Sequence, residues 1–588
     1  MTEQSQLDTQ LAQIRADVLS GKLSRRAALK AIGVAAATAT LAARGVSVAA
    51  QDASPAAGTG ADEVPQIFYQ RGYRTNPTSF DFNADLYCNA DTNAFEGVTT
   101  FDADLNPAPG WAETWESNED ASVWTFHIRQ NNTGWSDGTP VTAGDFVYSW
   151  ARQLDPNTAA PYASFFFDVK NAQSYNTGAG ATADDLGLKA IDDWTLEVTC
   201  EGPRGGFPLK AAYQAAWPAP KWQVEKYAEK WALGGDVPLV SNGPFNLVDW
   251  TPDVGWNMER NPGFWDAENI SIATYHAPLY PAANEVLLFE EGEGDQQLDW
   301  SILPAADYAR YLDDPDKAAL LSPYVYPGLW MILPSNGIPP FDKLEVRKAL
   351  SHAIDRDRLV TVTNGLVSPA YCMVPQGVFG FLDDPALTEI QNYDPELAMA
   401  SLVGTEFEGG ENWPEINMWM RAEEEVYNAD IMANDIVDQL KQNLGMDVKI
   451  NPVPQSNFTP QLTENKWQLV FIRWWMDYPD PDNMYGDMFY SQKASGKRQA
   501  WSNAEFDDLV IQGKEAPTPE ARLEIYAQAE KIIQEDVGYM PLVFRLDQDV
   551  YKPWVQNVEV NQYGQKVPDG NIYVNMLRHV TTDTRPAE

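Results

Sequence analysis

Short stretches in which apolar residues face one side alternate along this chain with longer ones in which they recur at helical spacing. The short stretches predict strands over 66–70, 124–129, 195–199, 245–249 and 468–472. The longer ones predict helices over 143–153, 344–354, 423–443, 503–513 and 519–535. In the last of these, Ile525, Ala529, Ile532 and Ile533 recur at helical spacing behind Pro517-Thr518-Pro519, a favourable helix start. Turn residues punctuate the remainder, at Ser136-Asp137-Gly138, Asn261-Pro262-Gly263 and Tyr478-Pro479-Asp480-Pro481. No period of solenoid or propeller length is visible, so the alternation predicts an α/β architecture. The acid-rich run 285–299 is expected to be a solvated face.

The first fifty residues follow a different pattern. Ser24-Arg25-Arg26-Ala27-Ala28-Leu29-Lys30 precedes an Ala-rich, weakly apolar run from Ala31 to Ala43, and then Ser47-Val48-Ala49-Ala50. A basic region, an apolar region and small residues in that order make a secretory signal, and the paired arginines look like a twin-arginine export signal. Residues 51–65 read as a flexible tether of small and polar residues. No later segment has the length of uninterrupted apolar sequence that a membrane-spanning helix needs, so no transmembrane segment is expected in the mature chain. The chain is expected to work outside the cytoplasm, in the periplasm or at the extracellular face of the envelope.

Composition narrows the chemistry. The 588 residues carry 84 acidic and 41 basic side chains, a net charge of -43. Residues 1–50 hold six basic and three acidic side chains, so their removal takes the charge to -46. Such a surplus argues against a nucleic-acid partner, because phosphate neutralisation needs clustered Lys and Arg. Four scattered His offer no zinc spacing, and three Cys cannot make a disulfide scaffold, although one bridge among Cys88, Cys200 and Cys372 stays open. No nucleophile elbow, phosphate-cradling loop or metalloprotease helix is present, and no cofactor is implied. Asp477, Asp480 and Asp482 have the wrong spacing for a calcium loop, being interrupted by Pro479 and Pro481. The 21 Trp are more informative: they supply rigid contact area with a polar handle, which suits a partly wet binding cleft, although single Trp residues mostly serve packing.

Several motifs then recur as a set. They are Phe95-Glu96-Gly97-Val98, Pro109-Gly110-Trp111, Trp124-Thr125-Phe126-His127-Ile128-Arg129, and Trp135-Ser136-Asp137-Gly138-Thr139-Pro140 leading to Asp145-Phe146-Val147-Tyr148-Ser149-Trp150. Leu154-Asp155-Pro156, Asn242-Gly243-Pro244-Phe245, Arg260-Asn261-Pro262-Gly263-Phe264-Trp265, Pro340-Phe341-Asp342 and Val346-Arg347-Lys348-Ala349-Leu350 follow. In this order and spacing the chain resembles the extracellular solute-binding proteins of the oligopeptide type, family five, which feed ABC importers. Gly138 is placed to take positive φ in its turn, and Thr142 to cap the helix that follows.

The resemblance implies a two-lobe periplasmic-binding-protein-like fold with a hinge and an inserted accessory domain. Mapped onto this chain, lobe I is 66–94, 218–326 and 545–582, the accessory domain 95–217 and lobe II 327–544. It implies a monomer that captures oligopeptides by lobe closure and delivers them to permease subunits, with no catalytic step. In Trp475-Met476-Asp477-Tyr478 it places Asp477 against the α-ammonium group of a peptide, with Trp474, Trp475 and Tyr478 as cleft walls. Arg473 is the candidate for a ligand carboxylate, at an offset from Asp477 that differs from the family's, and Tyr162 and Phe165 are candidates from the accessory domain. Trp475 and Met476 stand where some relatives carry a Cys, so no disulfide is expected there. Two other readings stay open: the same fold binding an oligosaccharide or another cationic solute, and an exported hydrolase using two of the many carboxylates.

Overall fold

The computed structural model describes residues 66–71, 79–84, 92–280, 284–294, 297–422, 428–464, 466–491, 497–567 and 579–585. All of them lie in one compact unit, Val64–Glu588. The export signal and tether read from the sequence, and Cys88, lie outside the described residues.

The largest sheet has seven strands. Its path runs Trp300–Ile302, Met540–Tyr551, Leu321–Pro334, Leu469–Trp475, Ile416–Arg421, Val448–Val453, and Val367–Pro369 pairs with Met540–Tyr551 off that path. Alternating side chains sort to its two faces, as a period of two requires. Trp330, Ile332, Leu469 and Phe471 enter one apolar cluster with the helices Leu344–His352 and Ala429–Leu444. Leu329, Met331, Val470 and Ile472 enter another with the helices Ala504–Glu515 and Pro519–Glu535. This is helix on both faces of one sheet, the layering that buries both sides of a strand.

A second sheet orders Ile67–Tyr69, Thr274–Pro278, Gly255–Arg260 and Phe245–Thr251. A third orders Ala112–Ser117, Val123–Ile128, Thr195–Thr199 and Leu188–Asp192. Both contribute to the largest apolar cluster. The two long strands Leu321–Pro334 and Met540–Tyr551 link these regions: Tyr324 and Tyr551 belong to the largest cluster, Leu329, Met331 and Phe544 to a face of the seven-stranded sheet. Their register shifts between Val325 and Leu329, at Tyr326-Pro327-Gly328.

Motif residues act as scaffold. Trp111 Nε1 donates to the carbonyl of Asn242 at 3.1 Å, and Asn261 Nδ2 donates to the carbonyls of Gly134 and Gly243 at 3.0 Å each. Gly138 has φ of 86°, as its turn demands. The helix Ala143–Leu154 opens with a reciprocal cap in which the Asp145 carboxylate accepts from the Thr142 amide at 2.8 Å and from Trp135 Nε1 at 3.2 Å. The helix over 519–535 coincides with the predicted one, its Thr518 hydroxyl accepting from the Ala521 amide at 3.2 Å. Where the sequence predicts a helix over 423–443, the described residues form the helix Ala429–Leu444.

The acid-rich run is not wholly a solvated face. Glu285 is buried and accepts from Arg71 Nε at 2.5 Å, and Asp299 is buried against the Tyr69 amide at 2.9 Å and Trp554 Nε1 at 2.8 Å. These carboxylates fix one chain segment to another, which a count of charges along the sequence does not reveal. Cys200 and Cys372 are free and buried, and burial pushes the Cys200 thiol up to about 12.

Candidate functional site

Asp477 sits just past the end of Leu469–Trp475, where the chain leaves the sheet and enters the π-helical turn Asn483–Phe489. Two hydrogen bonds shape this exit. The Met476 amide donates to the Pro327 carbonyl at 3.0 Å, and the Asp477 amide donates to Asn483 Oδ1 at 3.2 Å. Trp474 Nε1 donates to the same Asn483 oxygen at 2.8 Å, so one amide side chain orients both the indole and the carboxylate's backbone.

The carboxylate is buried, with the residue 9% exposed. Its Oδ1 accepts from Tyr213 Oη at 3.0 Å and Tyr162 Oη at 3.2 Å, and its Oδ2 from Asn483 Nδ2 at 3.5 Å. Among the described residues these partners are all neutral. Burial, with the Asp487 carboxylate second, pushes Asp477 up to about 6, against the lowering effect of Tyr213, Asn483 and Tyr162. A carboxylate held this way has given up water without gaining a cation, and an arriving ammonium group would supply the missing charge.

Tyr478 is also buried; its hydroxyl lies 2.8 Å from Asp487 and 3.0 Å from Asp482. Burial and those carboxylates hold the phenol well above its ordinary range. Phe165 meets Tyr478 edge-on with centroids 5.8 Å apart and lies 5.3 Å from Tyr213. The fold therefore assembles Asp477, Tyr478, Trp474, Tyr162 and Phe165 in one place.

Trp475 and Arg473 face the other way. Strand alternation turns them to the side of Phe471, where the Trp475 ring lies against Tyr326 and Trp330, at 5.8 Å from each. Arg473 covers Trp475 from 4.5 Å, and Arg545, paired with Asp547 at 2.5 Å, lies 5.0 Å from the same ring. Trp474 and Trp475, consecutive residues of one strand, therefore lie on opposite faces of the sheet. Asp480 and Asp482 also have separate tasks. Arg522 grips Asp480 through two hydrogen bonds of 2.7 and 2.5 Å, while Asp482 lies 3.4 Å from Lys514.

Sequence reasoning missed Tyr213 and Asn483. Tyr213 lies 264 positions from Asp477, and only tertiary packing joins them. Asn483 carries a weak local signal, being a polar residue soon after a Pro-rich turn.

The chain is similar to known proteins over most of its length. The profile for bacterial extracellular solute-binding proteins, family 5 Middle, matches residues 106–496. The periplasmic oligopeptide-binding protein OppA of Salmonella typhimurium is 31% identical over 503 residues, covering 83% of this chain and 88% of OppA. The dipeptide-binding protein DppE of Bacillus subtilis is 30% identical over 479 residues, covering 80% of this chain and 85% of DppE. Among solved structures, Haemophilus influenzae OppA in complex with RPPGFSPFR is similar with a TM-score of 0.71 at 25% identity, covering 89% of this chain and 100% of that one. The fold is thus of the two-lobe periplasmic-binding-protein type, and among the described residues no helix is long and apolar enough to cross a membrane. The chain belongs to the bacterial extracellular solute-binding proteins of family 5.

Proposed function

We propose that this protein captures peptides bearing a free α-amino group and hands them to the permease of an ABC importer, with Asp477 as the ammonium anchor. The observation that carries this reading is the buried Asp477 carboxylate, held by two phenols and an amide and by no cation among the described residues. Relatives named for oligopeptide and dipeptide binding support peptide as the ligand class. Trp474, Tyr162, Tyr213 and Phe165 complete the ammonium end of the site, with Tyr478 beneath it. Arg473 and Trp475 belong to a separate surface against Tyr326 and are not part of the ammonium end.

Capture proceeds by closure of lobe I (66–94, 218–326, 545–582) with the accessory domain (95–217) over lobe II (327–544). The boundaries at 326/327 and 544/545 are supported by the register shift between Val325 and Leu329, whose strand partners are Leu546 and Phe544. Ligand stabilises the closed state through contacts made only there. The protein works as an exported monomer, carried out by its twin-arginine signal.

Titration calorimetry with trialanine tests the reading. Saturable binding with the tripeptide recovered intact is the expected result. Hydrolysis of the tripeptide, or no heat with any free-amine peptide and saturable heat with an oligosaccharide, would replace it.

A further inference from the structure

Beside the Asp477 cluster lies a second group of charged side chains, buried or half-buried. Asp168 accepts from Lys210 Nζ and Arg204 Nε at 2.6 Å each, and lies 2.8 Å from Lys514 Nζ. Asp482 faces the same two lysines, 3.4 Å from Lys514 and 3.8 Å from Lys210. The side chains of Asp168, Lys210 and Asp482 are 6%, 8% and 6% exposed, and Lys514 is 25% exposed. With Gly206, Tyr478, Asp480 and Arg522 they line a small cavity. Asp168, Arg204 and Lys210 come from the stretch that carries Tyr162 and Tyr213; Asp482 and Lys514 come from the stretch that begins at Asp477.

Lys210, Asp168 and Asp482 each lie close in sequence to a residue on the Asp477 carboxylate, Tyr213, Tyr162 and Asn483 respectively. Lys210 ends the helix Phe207–Lys210, and the Tyr213 amide donates to its carbonyl at 3.1 Å. Asp168 follows the turn Ala163–Phe166, which Tyr162 opens. Asp482 precedes Asn483, which holds Asp477. Lys210 Nζ also lies over the rings of Tyr478 and Phe165, at 5.1 and 5.3 Å.

We propose that Asp168, Lys210, Asp482 and Lys514 form an ionic clasp that positions Tyr162 and Tyr213 over Asp477, and that ligand retention depends on it. The proposal rests on the peptide-binding reading above. Ionic groups suit a joint that parts and re-forms. They are costly to bury, yet each is well solvated once separated, whereas an apolar contact of the same area resists opening. The parted charges are stabilised by salt and the joined pairs are screened little, so the clasp weakens as ionic strength rises. Lys210 and Asp168 are positioning residues, since they act through the two tyrosines.

The test uses the full chain, trialanine as probe, and Lys210→Met, Lys210→Arg and Asp482→Asn, each at about 20 mM and about 500 mM sodium chloride. Lys210→Met is expected to bind about tenfold more weakly at low salt, through faster dissociation, and to show a measurably smaller salt dependence than wild type. Lys210→Arg should retain both affinity and salt dependence. A folded Lys210→Met protein with wild-type affinity and salt dependence overturns the clasp. If Lys210→Met does not fold, Asp482→Asn is read by the same two criteria. If wild-type protein binds no trialanine, the peptide reading fails, and amide exchange over 207–217 in the free protein decides the clasp separately. Exchange about tenfold faster at high salt supports it; salt-independent exchange refutes it.

Discussion

In the proposed function Asp477 carries the central chemistry, and its protonation sets two expectations of opposite use. An ammonium ligand needs the carboxylate ionised, so affinity for trialanine should rise as pH increases through about 6 and fall again above about 8, as the ligand's own amine deprotonates. For the ligand-free protein the sign is the reverse. The folded pKa lies above the ordinary 3.8, so the folded state holds this proton more tightly, and the stabilisation is lost as pH rises through about 6. Urea unfolding at pH 5 and pH 7 should therefore show wild type losing about 1 kcal/mol relative to Asp477→Asn, which has no carboxylate to ionise. Equal losses in both proteins would contradict the burial argument. Asp477 was legible as a candidate because its motif is local, Trp475-Met476-Asp477-Tyr478. Tyr213, a lone Tyr among Ala residues, was not, because its partner is set by tertiary folding.

At the scale of elements, the strand Leu469–Trp475 decides which of its neighbours can act together. The sequence pattern predicted its first half and stopped at 472, because Arg473-Trp474-Trp475 reads as an aromatic cluster rather than as strand. Pairing with Leu321–Pro334 as far as Gly328 extends it, and alternation then splits Trp474 from Trp475. The two long linking strands were not legible. Each has an apolar half only: the run 329–333 follows Pro323 and Pro327-Gly328, and Leu542-Val543-Phe544 gives way to Arg545, Asp547, Gln548 and Asp549, so neither reads as one long strand. Helices with local start signals, such as Pro519–Glu535, were read closely. Gly328 ties the linking strand to the site strand: an added Cβ would lie 2.1 Å from the Trp475 ring, which Tyr326 and Trp330 hold from other sides. Gly328→Ala should destabilise by about 1–3 kcal/mol in chemical denaturation, the usual cost of overpacking a close contact. An unchanged midpoint and slope would show that the ring is free to shift.

At the scale of the whole molecule, the charge of -43 and the many aromatics take on separate meanings. Six Trp, at 111, 135, 150, 231, 256 and 330, are fully buried, so much of the aromatic content is core rather than cleft. The negative field favours approach of amine-bearing solutes, with a reach of about 10 Å at 0.1 M salt. Fold class and family were legible because the scaffold motifs bind one another in the structure, as Trp111 binds Asn242 and Asn261 binds Gly134. The ligand end was less legible, because its contacts come from segments hundreds of positions apart. The most direct test of the account compares trialanine with N-acetyl-trialanine by calorimetry on wild type and Asp477→Asn. Wild type should prefer the free amine by about a hundredfold or more, the weight of a buried charge-assisted pair, and Asp477→Asn should bind both alike. Equal affinity of wild type for the two peptides, or an undiminished free-amine preference in Asp477→Asn, would contradict the assignment of Asp477 as the ammonium anchor.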